Sequence, residues 1–190
     1  MIDGDVEKRT IWAKVIQSRG EMGYPYIFFT DNANNGAADV YKDKKLPIYA
    51  SNLCTEIMLP SDHNWSFVCV LSSINVLHYD KWKDTDAVET MIYFLDAVIT
   101  EFLEKLEKYK NSENRDDQQT FLFMERAYNF SKENRALGMG VLGWHSLLQS
   151  KMLPFDSQEA YDLNSEVFKY IQARSHVASE NLAEKFGEPE

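Results

Sequence analysis

The sequence predicts an α/β fold whose second half is helical. Three observations predict it. Three β-rich runs, at residues 24–30, 51–59 and 67–76, fall in the first half. One apolar stripe at helical spacing covers residues 86–109. Helical patterns then alternate with polar breaks as far as residue 186, giving the order helix, strands, helices.

Each element has its own local reason. Residues 5–19 read as a helix, because Val6, Ile11, Trp12, Val15 and Ile16 are roughly helically spaced and Gly20 and Gly23 end the pattern. The run YPYIFFT (24–30) is β-rich, and the turn-prone stretch from Asp31 to Gly36 closes it. Residues 37–47, rich in Asp and Lys, read as loop. The extended runs 51–59 and 67–76 are joined by a hairpin-like connection, PSDHN, at 60–64. In the helix at 86–109, Val88, Met91, Ile92, Leu95, Val98, Ile99, Phe102, Leu103 and Leu106 form the stripe, with Asp84 or Thr85 as cap. A polar break (NSENRDDQQ, 111–119) precedes a mixed helical region at 120–134. A helix is expected at 139–151 after Gly138. The last helix, about 158–186, starts near Asp156 and Ser157 and ends at Gly187 and Pro189. Neither an internal repeat nor a low-complexity linker interrupts the chain. It is therefore read as one domain with a strand-rich part at about 24–76 and a helical part at about 86–187.

Composition excludes several classes. With 190 residues, 44% hydrophobic and 13% aromatic, the chain can build a core and is not expected to be disordered. A net charge of −10 argues against bulk attraction to nucleic acid or anionic membranes, while a local site for one anionic nucleotide stays open. No apolar stretch reaches the roughly 20 residues that span a bilayer, and the acidic, polar start at residues 1–5 is unlike a signal peptide. Two cysteines, Cys54 and Cys69, are too few for a disulfide scaffold and fit a reducing, cytoplasmic setting. Together with four scattered histidines they give no metal-ligand spacing.

The residues that carry chemistry lie in the second extended run. Asn52, Cys54 and Glu56 alternate, so on an extended chain an amide, a thiol and a carboxylate point to one side. Leu53, Ile57 and Leu59 supply apolar neighbours. On spacing alone, a packing cysteine and a solvated carboxylate account for the same pattern.

The surrounding words add to that reading. SNLCTEI (51–57) closely resembles the active-site segment of ribonucleotide reductase large subunits. CVLSSIN (69–75) resembles the stretch that holds one of that family's redox cysteines, and RALGMGVLG (135–143) a third block, all in family order. The resemblance covers roughly residues 5–187. It implies a ten-stranded α/β barrel, of which this chain supplies some strands, with the active cysteine on an internal loop. It implies that Cys54 is the thiyl-radical site that abstracts the ribose 3′ hydrogen, and that Glu56 is the base for the 3′-hydroxyl proton, its pKa raised by burial. Asn52 orients the substrate, with Ser51 and Leu53 beside it in the substrate-binding segment. Cys69 is one of two thiols that supply electrons as the 2′-hydroxyl leaves as water.

The same resemblance sets the expected partners. With Glu56 in place, the resemblance is to the class I-like enzymes, whose radical comes from a metal-containing small subunit, with thioredoxin or glutaredoxin as reductant; the cobalamin-dependent class is the second choice. No cofactor is expected on this chain itself. The cysteine that pairs with Cys69 in the family lies upstream, so direct pairing of Cys54 with Cys69 is not expected. The regulatory regions, the phosphate-binding loop, the relay tyrosines and the shuttle cysteines are expected on N-terminal and C-terminal segments that complement this one in an oligomer. The expected activity is reduction of ribonucleoside diphosphates, with the choice between di- and triphosphate left open. The alternative is a non-catalytic remnant that keeps the fold; the intact Asn52, Cys54, Glu56 and Cys69 favour the enzyme.

Other features are read as structural. Gly138-x-Gly140-x-x-Gly143 matches a dinucleotide-binding pattern, but no βαβ unit is expected around it, and close helix approach explains small residues better. His145 is placed at the polar edge of a helix, and Tyr24, Tyr26 and Tyr128 are read as packing aromatics.

Overall fold

The computed structural model describes residues 4–189. The acidic start that counts against a signal peptide lies mostly outside the described residues. The chain divides into two compact units, Met1–Ser61 and Asp62–Glu190.

In the first unit, helix α1 spans Val6–Met22. The backbone N–H of Lys8 donates to Asp5 Oδ1 at 3.0 Å, and Gly23, in the left-handed region at φ 77°, closes the other end. Gly20 therefore lies inside the helix rather than ending it. None of α1's residues is buried, so its apolar spacing faces outward in this unit: Ile11 is 57% exposed and Trp12 44%. Two short helices, α2 (Thr30–Asn35) and α3 (Asp39–Asp43), form where turn and loop were expected.

The expected strand at 24–30 does not form. Side chains of α1 take its carbonyls: Ser18 Oγ donates to Tyr24 O at 2.7 Å and Arg19 to Pro25 O at 2.8 Å. Pro25 has no N–H for a ladder. The expected strand at 51–59 is likewise a loop. There the Asn52 side chain captures the two backbone donors that a ladder would need. With no strand before it, the connection at 60–64 is not a hairpin. In the second unit, Asp62 Oδ1 instead accepts from the N–H groups of Asn64 and Trp65, and Arg126 donates to the Asp62 and Trp65 carbonyls. The range 24–76 thus holds a single strand among the described residues.

That strand is β1 (Leu71–Asn75), shorter than the expected 67–76. It pairs in parallel with β2 (Gly138–Leu142), Leu71 opposite Gly138 and Asn75 opposite Leu142. The two-stranded sheet does not close on itself. The crossover runs through a 3₁₀ turn (Val76–His78), α4 (Tyr79–Trp82), α5 (Ala87–Lys110) and α6 (Arg115–Asn134). The helix expected at 139–151 is corrected here. Its first part is β2, and only Trp144–Ser150 is helix α7. The glycines serve strand approach rather than helix approach. A Cβ on Gly138 would sit 2.2 Å from Leu71 Cδ2, and one on Gly140 3.1 Å from Ser73 Oγ. Gly143, at φ 81°, makes the turn into α7.

The helical predictions at 86–109 and 158–186 match α5 and α8 (Gln158–Phe186) closely. Val88, Ile92, Leu95, Ile99 and Leu106 are α5's buried apolar face, which packs on α6, α8 and β1. Helix α6 begins five residues earlier than the expected 120, because Asn114 Oδ1 caps it by accepting from Asp116 N at 2.9 Å. Ser157 caps α8, and the Gly187 N–H ends it on Ala183 O at 2.8 Å. The core of this unit joins Ile74, Val76, Tyr79, Val88, Leu147, Val167 and Ile171.

Candidate functional site

The predicted triplet sits on a loop of the first unit whose two ends are buried and whose tip is not. Ile48 (1% exposed) and Pro60 are buried, while Leu53 at the tip is 86% exposed. The tip closes as a tight turn: Thr55 N donates to Asn52 O at 3.1 Å, and Asn52 N donates to Ile57 O at 3.2 Å. Thr55 adopts φ 59°, in the left-handed region. Ser51 Oγ donates to Asn52 O at 3.0 Å.

Asn52 organises the loop. Its Oδ1 accepts from the N–H of Glu56 and of Ile57, both at 3.0 Å, and its Nδ2 donates to Glu56 Oε1 at 3.3 Å. Asn52 and Glu56 therefore meet, as the spacing predicts, but through a folded turn and not through strand alternation. Cys54 lies between them as an exposed free thiol. Glu56 is exposed in this chain, so the burial that the resemblance implies for it is not present here.

Tyr24 and Tyr26 are exposed rather than packed into a core, with ring centroids 5.3 Å apart. The Tyr24 hydroxyl raises the Tyr26 pKa above its ordinary value, and Cys54 adds a smaller contribution in the same direction. Tyrosine content alone carries no sign of that pairing.

Cys69 belongs to the second unit, and it too is an exposed free thiol. It lies two residues before β1, and the carbonyl of its neighbour Val70 accepts from Gly138 N at 2.9 Å. The third sequence block therefore abuts the segment that carries Cys69. Arg135, which ends α6 at φ 43°, ties that block to α5: Nε donates to Asp96 Oδ1 at 2.8 Å and Nη2 to Thr100 Oγ1 at 2.7 Å. His145 is an exposed residue of α7, and half-buried Tyr128 packs edge-on against buried Phe121 while its hydroxyl donates to Glu107.

A groove of about 1230 Å³ in the second unit runs along α5 and the end of α8 past Asp96, Arg135 and His176. It contains none of the predicted site residues. No group of three or more His, Cys, Asp or Glu side chains among the described residues is arranged to hold a metal ion. No helix among the described residues is long and apolar enough to cross a membrane.

Comparison with known proteins gives consistent relatives. The family model described as ribonucleotide reductase, barrel domain, matches residues 2–190. The ribonucleoside-diphosphate reductase large subunit of Invertebrate iridescent virus 3 is 32% identical over 184 residues, covering 96% of this chain and 27% of that protein. The ribonucleoside-diphosphate reductase subunit alpha of Chlamydia trachomatis serovar D is 31% identical over 186 residues, 92% of this chain and 16% of that protein. Among solved structures, the Actinobacillus ureae class Id ribonucleotide reductase alpha subunit superposes with a TM-score of 0.82 at 51% identity, covering 98% of this chain and 34% of that one. The chain thus spans about a third or less of the length of the relatives it matches.

Proposed function

The chain belongs to the ribonucleotide reductase barrel-domain family, and on that premise we propose that it supplies the radical-bearing loop of a ribonucleoside-diphosphate reductase, acting together with further segments of the large subunit. Among the described residues two strands give a partial, unclosed barrel, so the walls that shield the reaction come from elsewhere in the enzyme. The observation that carries the reading is the Asn52–Glu56 contact on either side of an exposed Cys54.

In this reading Cys54, as a thiyl radical, takes the hydrogen from the ribose 3′ carbon. A sulfur radical suits that step because S–H and activated C–H bonds are of similar strength, so the hydrogen can be returned. Glu56 accepts the 3′-hydroxyl proton; it is within reach because Asn52 holds its carboxylate beside the turn. Asn52 retains one amide hydrogen for the substrate. Ser51 and Leu53 border the same space, and the exposed Leu53 gives the loop an apolar tip to bury against the completed pocket. Cys69 contributes one of the two thiols that reduce the product as water leaves. The radical source is a metal-containing small subunit and the reductant a thioredoxin or glutaredoxin, both outside this chain. A cytoplasmic setting follows from two thiols that must be kept reducible.

The test is reduction of CDP by this chain in the whole large subunit, with small subunit and a dithiol reductant. Cys54→Ser is expected to lower turnover at least about a thousandfold, the scale of removing a reacting group. Deoxynucleotide formation near the unsubstituted rate would remove Cys54 from the chemistry.

A further inference from the structure

The loop that carries Cys54 is held at its base by a side chain that belongs to neither the sequence motif nor the loop. Asn34, in α2, clasps the backbone of Ile48 from both sides. Its Oδ1 accepts from Ile48 N at 2.9 Å, and its Nδ2 donates to Ile48 O at 2.8 Å. The same Nδ2 donates to Thr30 O at 2.9 Å, one turn earlier in α2, so the amide is fixed at both ends. The contact bridges 14 residues of chain. It reproduces with one side chain the paired N–H and C=O bonds that a neighbouring strand would give. Ile48 is 1% exposed, so these are backbone groups that water would otherwise have to satisfy.

The geometry points to Asn34 as a positioning residue for the Cys54 loop. Ile48 is the last anchored residue before the turn: none of the backbone–backbone hydrogen bonds among the described residues holds Tyr49, Ala50 or Ser51 in place, and the next closure is Asn52 N to Ile57 O. Three residues, Tyr49, Ala50 and Ser51, separate the clasp from Asn52. Asn52 then sets Glu56 and the turn at Cys54 through its own amide. Two asparagine amides in series thus fix the loop, one at its base and one at its tip. The amide is suited to this because it offers a donor and an acceptor in one plane. An aspartate offers no donor, and an alanine offers neither group.

This inference rests on Cys54 being the reacting group, and the experiment keeps the two apart. In the whole reductase, Asn34→Ala is expected to lower kcat about tenfold or more, since displacing a reacting group by about 1 Å costs up to a hundredfold. KM is expected to stay within about twofold, because the loop's reacting tip and not nucleotide affinity is disturbed. Amide hydrogen exchange at Ile48, Glu56 and Ile57 is expected to speed up about tenfold while the global unfolding midpoint is kept. Asn34→Asp keeps the acceptor for Ile48 N–H and loses both donated bonds. It is expected to move exchange and kcat in the same direction by less, and it decides the matter if the alanine variant does not fold. Unchanged exchange at Glu56 and Ile57, or a loss of activity carried by KM alone, overturns the assignment. If Cys54→Ser abolishes turnover and Asn34→Ala leaves it intact, only the positioning role falls. If Cys54→Ser is active, the reductase reading falls with it.

Discussion

Thr55 holds a backbone conformation that a β-branched residue avoids. Its φ of 59° places it in the left-handed region, and its Oγ1 is buried with no hydrogen-bond partner. Such strain costs on the order of 1–3 kcal/mol, and a buried unpaired hydroxyl costs about 1–3 kcal/mol more. The turn persists because Asn52 overdetermines it with three side-chain bonds. Thr55→Gly removes both costs and adds a backbone-entropy cost of about 1 kcal/mol or less. We expect a net gain of about 1 kcal/mol or more, read as a higher urea midpoint. A midpoint at or below that of the unsubstituted chain would show that the threonine methyl and hydroxyl contribute more packing than the turn loses in strain. At this scale the candidate residues stand out in the sequence by identity, as the run SNLCTEI. The turn was less so. An asparagine before a short polar stretch signals side-chain capture of the backbone, and the alternating pattern of residues 51–59 masked that signal.

Among the elements, α4 is only four residues long yet contributes Tyr79, which is 2% exposed. Its ring meets Trp82 at 5.1 Å and Tyr170 of α8 at 6.0 Å, both edge-on, and the Tyr170 hydroxyl donates to the Lys83 carbonyl. Burial, followed by the Glu166 carboxylate, pushes the Tyr79 hydroxyl up to about 12. An unfolded tyrosine ionises near about 10. The folded pKa is the higher of the two, so the contribution to stability is fully present below about pH 10 and is lost as pH rises to about 12. Tyr79→Phe should make the fall in thermal midpoint over that window shallower, leaving the share due to Tyr128, whose pKa Glu107 also raises to about 12. An identical fall in both proteins would place the alkaline loss elsewhere. The same packing explains which elements the sequence reveals. Helices α5 and α8 carry their apolar stripes locally, and α8 its Ser157 cap, so residues 86–109 and 158–186 read correctly. The aromatic run at 24–30 has β-propensity, but a strand also needs a partner, and α1 takes its carbonyls instead. Strand β2 was hidden for the opposite reason. A five-residue, glycine-bearing parallel strand has no period to tell it from a helix start, and its partner lies 67 residues away in register at Leu71. Asn34 and Ile48 are linked across 14 residues with no local signal at all.

The whole molecule distributes its stability unevenly between its two units. The core of Ile74, Val76, Tyr79, Val88, Leu147, Val167 and Ile171 lies entirely within Asp62–Glu190. In Met1–Ser61, the buried residues among those described are Ile48 and Pro60, and α1 buries none. A segment of about 60 residues is already marginal when it has a full core, and ordering each residue costs about 1–2 kcal/mol of backbone entropy. The loop that carries Cys54 therefore sits on the part of the chain that buries least. Residues 62–190 prepared alone should melt in one cooperative transition by circular dichroism, with a heat capacity step from apolar exposure. Residues 1–61 alone should lose helical signal gradually, without a midpoint, because an isolated 17-residue helix with no buried face is only marginally stable in water. A gradual melt of 62–190, or a sharp one for 1–61, would mean that the buried area assigned to each unit does not govern its folding.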